Sequence, residues 1–552
     1  MGFLIFGVGV LGFVLQAFCF YDLACIANLM KNVSTKMLDN LGLVAGCFDE
    51  LGIAEIIDAR LPKKRMHKLP HSVLVKAMTV NGLGYLDNRL YLCTEFFGKV
   101  PCERLLGVDP MDLTDDALGR TLDRIAEYGP TEFFNEIVFG VRDKLGGSQL
   151  LHVDTTSFTV EGGYDGEGVV KINHGYSRQD GRSDLKRFVL GLVCNQHGMP
   201  VYMQSFGGNE SDKKNLLEMI TRLKTGLRST DKVYHVADSA FYTGKNLKSI
   251  GQCTYWISRV PCTIARAKKL LEQDLDMAVC NDPRCSYHEE SVRYAGILQK
   301  WVVVHSGEAQ KSKAAAFEKS LGKELEAHGT GLWHLSNQEY YCEADALEAA
   351  RKWIAERPLL TFEDLGVATV KKRLNGKKGR PSKNEETRTF YRIEATTRIN
   401  EKEVERRRER LGRFIIATND LDLDPEKLLE DYKGQSRVEK GFRFLKDDTF
   451  NVSDVYLKNE KRIEALAMVM VLCLLLYSVL EWRLREKLRE EEKTVRSQVG
   501  KPVQNPTMKW VFYKFLGVTE VRIQDKTAIA NMTDELTMII ELLGTAYEKY
   551  YS

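Results

Sequence analysis

The chain has 552 residues, 44% hydrophobic and 28% charged, which excludes a disordered chain and allows several domains or one core with a large insertion. Its net charge of +3 identifies no partner, but Val367–Arg413 holds 16 Lys and Arg against 7 Asp and Glu, a local excess that suits either a polyanion or a solvated face. The 12 Cys are scattered without a framework, which reads as reduced thiols in a cytosolic protein, and Cys280, Cys285 and His288 fit no common zinc spacing.

Met1 to Tyr21 contains no charged residue, and the stretch to Met30 contains only Asp22. That is long enough to span a bilayer but lacks the basic start of a signal peptide. Patterned globular sequence begins only afterwards. Residues 1–30 therefore read as an upstream extension, with translation beginning near Met30 or Met37; a buried helix and a membrane anchor are the alternatives. Residues 31–148 form a helical region, with apolar residues at three- and four-residue spacing in Ser72–Gly82 and Asp115–Tyr128. Prolines 62, 70, 101, 110 and 130 punctuate it.

The period then changes to that of strands. Gln149–Val160 is the first, with Asp154 near its middle. Val169–His174, Phe188–Cys194 and Val201–Phe206 follow, the last two joined by a hairpin loop, Asn195–Pro200. A helix capped by Asn209 or Ser211 runs through Leu223. Val233–Ala237 is a short apolar strand leading directly into Asp238. A helix near Thr243–Ile250 and a strand Thr254–Ser258 complete an α/β layer pattern with a mixed sheet. Residues 263–410 interrupt it with strands at Ser291–Tyr294, Trp301–His305 and Thr389–Ala395 among charged helices, and with a basic segment, Lys371–Lys383. Arg413–Thr418 returns as a buried strand. Asp424 and Pro425 start a helix, and helical pattern continues to Glu491. Ala465–Leu480 is an apolar run between two glutamates, short for a membrane span and better suited to a core helix. Residues 491–552 are a small helical piece.

Three carboxylates stand out. Asp154 and Asp238 lie at or near the ends of apolar strands, where a ligand at the sheet edge would be met. On the helix after Gly434, Tyr432, Gln435, Glu439, Arg443 and Lys446 fall on one face at helical spacing, and Val438, Phe442 and Leu445 form an adjacent apolar stripe. Gly434 weakens the helix at its start, putting Tyr432 slightly out of phase. An ordinary amphipathic helix with Glu439 paired to Arg443 would show the same pattern. Two strand aspartates with one helix glutamate, however, form an oxygen-only donor set suited to two Mg²⁺ or Mn²⁺ ions.

These segments resemble the bacterial insertion-sequence transposases of the DDE class. The subgroup signature Tyr-x2-Arg-x3-Glu-x6-Lys is met by Tyr432, Gln435, Glu439 and Lys446 in YKGQSRVEKGFRFLK. Gln435 departs from it, as one branch of the subgroup does, which removes an Arg-type phosphate contact there. HVDTTSF (His152–Phe158), VADSAFYT (Val236–Thr243) and HGYSRQDGRSDLKR (His174–Arg187) are also similar to the family. The resemblance covers about residues 31–545.

It implies a ribonuclease-H-like fold: a mixed sheet flanked by helices, interrupted by an α+β insertion domain and preceded by a helical N-terminal region. The implied domains are 31–148 for end binding or dimerisation, 149–262 and 411–490 for the two parts of the catalytic core, 263–410 for the insertion and 491–552 for a helical C-terminal region. Asp154, Asp238 and Glu439 would bind two divalent cations. Tyr432 and Lys446 would contact transposon-end DNA, with Gln435 and Arg443 on the same face. Lys377, Lys378 and Arg380 in GKKGRPSK read either as a minor-groove hook or as a mobile basic loop. The implied activity is 3′-end cleavage of double-stranded DNA followed by strand transfer, by a homodimer in the cytoplasm, associated with the nucleoid. A nuclease of the same fold and an inactive DNA-binding derivative are the alternatives.

Overall fold

The computed structural model describes residues 33–84, 92–147, 149–160, 172–174, 186–210, 212–226, 232–251, 254–373, 387–446, 460–523 and 526–552. The chain divides into two compact units, one reaching to Ile257 and resuming at Glu430, the other spanning Ser258–Leu429.

The first unit opens with strand β1 (Val33–Met37), in a region whose sequence pattern is helical throughout. Helices follow at Leu41–Leu51, Ile53–Arg60, His71–Gly82, Cys93–Lys99, Cys102–Leu106, Asp115–Tyr128 and Pro130–Val141. Asp115–Tyr128 is a strongly amphipathic helix. Thr114 caps it by accepting from the Ala117 amide at 3.2 Å, and acids occupy its first turn, where the helix dipole favours them.

The sheet of this unit contains β2 (Leu150–Val160), β3 (Asn173–His174), β4 (Lys186–Cys194), β5 (Pro200–Gly207), β6 (Tyr234–Ala237) and β7 (Tyr255–Arg259). β2, β4 and β5 form an antiparallel meander, β6 pairs parallel with β2, and β7 lies beside β6. The order β5-β4-β2-β6-β7 is the ribonuclease-H-like mixed sheet expected from the resemblance. The loop between β4 and β5 turns at Gly198, whose φ of +83° favours glycine. Of the expected strand Val169–His174, residues 169–171 lie outside the described residues and only Asn173–His174 pairs.

The second unit has β8 (Ala278–Val279), β9 (Cys285–Tyr294), β10 (Ile297–Ser306), a long hairpin of β11 (Leu360–Arg373) and β12 (Thr387–Ile399), and β13 (Arg413–Thr418). β13, β10, β9 and β8 pair in that order. Ala295 and Gly296, both at positive φ, make the tight turn between β9 and β10. Two helices, Gly307–Asn337 and Glu343–Ala355, precede the hairpin. Asp424 caps the helix Pro425–Lys433 as expected, accepting from the amides of Glu426 and Lys427 at 3.0 Å each.

Back in the first unit, helix Ser436–Leu445 buries Val438, Phe442 and Leu445, the stripe expected from the sequence. The long helix Glu460–Glu490 follows. By length and composition it could cross a membrane, yet 78% of its most apolar window is buried inside the protein. It packs against the N-terminal helices, β5 and a C-terminal helix, so its apolar surface is covered on several sides. Burying each large side chain there contributes roughly 1.5–3 kcal/mol.

The C-terminal piece is not purely helical. Besides the short pair β14 (Val495–Arg496) and β15 (Pro502–Val503), it holds a hairpin, β16 (Thr519–Ile523) and β17 (Lys526–Ala530), ahead of helices Asp534–Leu543 and Thr545–Tyr551. β1 pairs antiparallel with β16. The last helix closes on the first: Tyr551 is 7% exposed, its hydroxyl donates to the Asp39 carbonyl at 2.7 Å and accepts from the Leu43 amide at 3.2 Å.

Candidate active site

The parallel register of β2 and β6 is the starting point. His152 lies opposite Val236 and Val153 opposite Ala237. The next residue on each chain is an aspartate. Asp154 and Asp238 therefore emerge side by side where two strands about 4.8 Å apart part company. Both are partly exposed, while Val153 and Ala237 beneath them are fully buried. Each carboxylate is oriented by a nearby amide: Asp154 Oδ1 accepts from the Thr155 N–H at 2.8 Å, and Asp238 Oδ1 accepts from the Ala240 N–H at 2.9 Å.

Side chains alternate along a strand, so His152, Asp154, Thr156 and Phe158 share one face of β2. Helix Ser436–Leu445 lies over that face, fixed at both ends. At its start, Gln435 Nε2 donates to the Val153 carbonyl at 3.1 Å. At its end, Lys446 Nζ donates to the Thr156 hydroxyl at 2.6 Å and sits 5.4 Å from the Phe158 ring centroid. Glu439 lies one turn beyond Gln435, on the face of the helix that carries both anchors. It is exposed, as is Arg443. Among the described residues no three His, Cys, Asp or Glu side chains stand close enough together to hold a metal ion. The two aspartates are brought together by the sheet, and Glu439 is brought over the same strand but not into a closed cluster.

The turn before this helix is equally tight. The expected weakness at Gly434 is a break between helices Pro425–Lys433 and Ser436–Leu445, so Tyr432 belongs to the earlier one. A Cβ at Gly434 would stand 2.6 Å from the His152 ring. His152 is fully buried. Burial first, and then the Arg437 cation, lower its pKa to about 4, against a raising contribution from Gln435. A neutral imidazole therefore fills the space beneath the turn. Cys194, opposite His152 on β4, is also fully buried, and burial followed by the Asp154 charge pushes its thiol up to about 12, which keeps it protonated.

In HVDTTSF the sequence pattern singles out Asp154 and assigns no role to His152, Thr156 or Phe158. The period-two spacing of these residues is the signal that could have found them. Gln435 is 7% exposed, so it is turned to β2 and not to a DNA strand. Lys377, Lys378 and Arg380 lie outside the described residues, as do residues 1–30 and most of the segment between His174 and Arg187.

A family model described as a domain of unknown function (DUF4277) matches residues 33–139. A second, described as a transposase DDE domain, matches residues 146–476. A comparison with curated proteins finds no match. The transposase match covers more than half of the chain and takes in β2, β6 and the helix of Glu439 with their three carboxylates; this chain belongs to the DDE transposase family.

Proposed function

We propose that this transposase cleaves the phosphodiester at the 3′ ends of its transposon and transfers the freed 3′-OH to a target phosphate, with Asp154, Asp238 and Glu439 as the catalytic carboxylates. The single observation that carries this is the parallel register that sets Asp154 beside Asp238 beneath a helix pinned to the same strand. The donor set is all carboxylate oxygen, which fits two hard divalent cations, Mg²⁺ or Mn²⁺. When bound, such ions activate an attacking oxygen and stabilise a leaving one in phosphoryl displacement.

The protein's own residues do the rest. The two aspartates are held by strand ends and local amides, which preorganises them. Glu439, exposed on a fixed helix, supplies the third carboxylate. Gln435 positions that helix. Tyr432 and Lys446, with Arg443 on the same face, contact DNA near the scissile phosphate, and Lys377, Lys378 and Arg380 form a separate basic DNA contact of the insertion. No covalent protein–DNA intermediate is formed, so no Ser or Tyr nucleophile is required. Two transposon ends must be paired, so the working form on DNA is a homodimer, acting in the cytoplasm at the nucleoid.

The test is cleavage and strand transfer on DNA carrying the element's ends, with Mg²⁺, for Asp154→Asn, Asp238→Asn and Glu439→Gln. All three should bind DNA and lose both reactions. Near-normal cleavage by any one of them removes that residue from the site.

A further inference from the structure

A cavity lies in the N-terminal helical region, away from the carboxylates in sequence. It has a volume of about 320 Å³ and is walled by the loop before helix His71–Gly82 and by helix Asp115–Tyr128. The loop runs from Pro62 to Pro70 and contains Lys63, Lys64, Arg65, His67 and Lys68 with no acidic residue. Lys63, Lys64 and Arg65 are exposed, and Lys68 and Arg120 line the cavity itself. Asp112, paired with Lys68, is the acid among the lining residues, and Arg120 lies 3.9 Å from Asp116 on its own helix.

The floor is His71, 1% exposed, with its Nε2 unpartnered. Its Nδ1 lies 3.0 Å from the Thr121 hydroxyl. That hydroxyl donates its one hydrogen to the Ala117 carbonyl at 3.1 Å, so the hydrogen in the His71–Thr121 bond belongs to Nδ1. His71 Nε2 is therefore the ring atom left to meet a ligand. His67, packed edge-on at 5.1 Å, has an unpartnered Nδ1. The cavity also lies at the first turn of helix His71–Gly82, where the helix dipole favours an anion.

We propose that this cavity binds a phosphate diester of the DNA backbone, with His71 on its floor, Lys68 and Arg120 in its lining, and the exposed Lys64 and Arg65 on the loop that walls it. The proposal rests on the reading that the chain acts on DNA, and it gives the N-terminal region a sequence-independent grip on the duplex. A phosphodiester oxygen offers only lone pairs. Binding therefore requires a proton from solvent on His71 Nε2, converting imidazole to imidazolium. In the free protein burial disfavours that charge most, and His67, Arg124 and Lys64 add to the effect against Asp58. Lys68, Arg120 and Asp112 are the remaining charges at the site. A bound phosphate offsets the surrounding positive field, so binding and protonation are coupled.

The experiment is DNA binding by the full chain in chelator, so that cleavage plays no part, using a duplex of arbitrary sequence. Anisotropy across a salt series gives the slope of log K against log salt. The triple variant Lys64→Ala, Arg65→Ala, Arg120→Ala, with all three changes at the surface, should reduce that slope by about one, the contribution of a single phosphate. Calorimetry in buffers of different ionisation enthalpy should show uptake of about one proton near pH 7.5 in the wild type. His71→Gln should abolish the uptake. If that variant is unstable in melts, Arg120→Glu serves instead and should weaken DNA binding more than tenfold. An unchanged slope in the triple alanine variant overturns the proposal, as does a reduced slope without proton uptake, which would indicate a surface contact outside the cavity. Inorganic phosphate binding with the same proton uptake, while duplex affinity is insensitive to all of these substitutions, would assign the cavity to a free anion and also overturn it. Because cleavage is not measured, none of these outcomes bears on the carboxylate site, which its own variants test.

Discussion

The side-chain amide of Gln435 donates to the backbone carbonyl of Val153, the residue immediately before Asp154. One hydrogen bond thus links the helix of the proposed third carboxylate to the strand of the first. Replacing Gln435 with Ala leaves a buried carbonyl without this donor, a cost of about 1–3 kcal/mol. We expect Gln435→Ala to reduce single-turnover cleavage at least tenfold while DNA affinity changes by less than threefold. Loss of affinity with normal cleavage of bound DNA would instead make Gln435 a DNA contact.

Gly434 and His152 form the second constraint. A methyl group at residue 434 would stand 2.6 Å from the imidazole, so the turn or the ring must move. Gly434→Ala is expected to cost about 1–3 kcal/mol, in the range of core overpacking. His152→Ala opens that space, and in the double variant the two losses should be less than additive. Denaturant titration of the four proteins gives the coupling; strict additivity would show that the two residues do not meet in solution.

Glu464 provides a pH prediction. It lies on the long helix, where burial first, and then the Glu132 charge, push its carboxyl up to about 7 from 4.5. The folded chain keeps this proton between those values while the unfolded chain has lost it. Stability is therefore greatest below about pH 4.5 as far as this group is concerned, and it falls as pH rises through about 7. Glu464→Gln should stabilise the protein at about pH 8 by roughly 2–3 kcal/mol and change little at about pH 4.5. Melts at both pH values decide; equal effects at the two would mean the carboxyl is not held neutral.

Tyr551 tests the closure of the chain's far end on its first helix. Its hydroxyl is bonded to both Asp39 and Leu43, so Tyr551→Phe leaves the part-buried Asp39 carbonyl without that donor, while the Leu43 N–H keeps its bond to the Asn40 carbonyl at 3.0 Å. A loss of about 1–3 kcal/mol is expected, read as a lower Tm. A change within about 0.5 kcal/mol would place that carbonyl in contact with water.

Much of the fold is legible locally. β2, the β4–β5 hairpin, helix Asp115–Tyr128 and the Asp424 cap each follow from a run of ten or so residues whose period or cap chemistry is self-contained. Strand β1 is not, because its five residues are mostly exposed and it exists only by pairing with β16. The β16–β17 hairpin has no buried position either, so it lacks the apolar alternation that marks a half-buried strand. In the candidate site the aspartates are legible as apolar strand ends, and the helix face as a spacing. The contacts of Gln435 and Gly434 with β2 are not, since a buried polar contact between distant segments leaves no periodic trace.

The pairing of β1 with β16 has a consequence for how the protein is made. A ribosome releases the chain from its N-terminus, yet Val33 waits for Ile523, and the first helix waits for Tyr551. The N-terminal helices cannot finish packing during most of translation. A copy truncated upstream of Glu439 already carries the aspartates of β2 and β6 but neither the helix that covers them nor the segment that closes the unit. Folding of this unit thus waits for the segment from Thr519 to Tyr551, and a fragment lacking it carries the two aspartates without the packed unit that holds them.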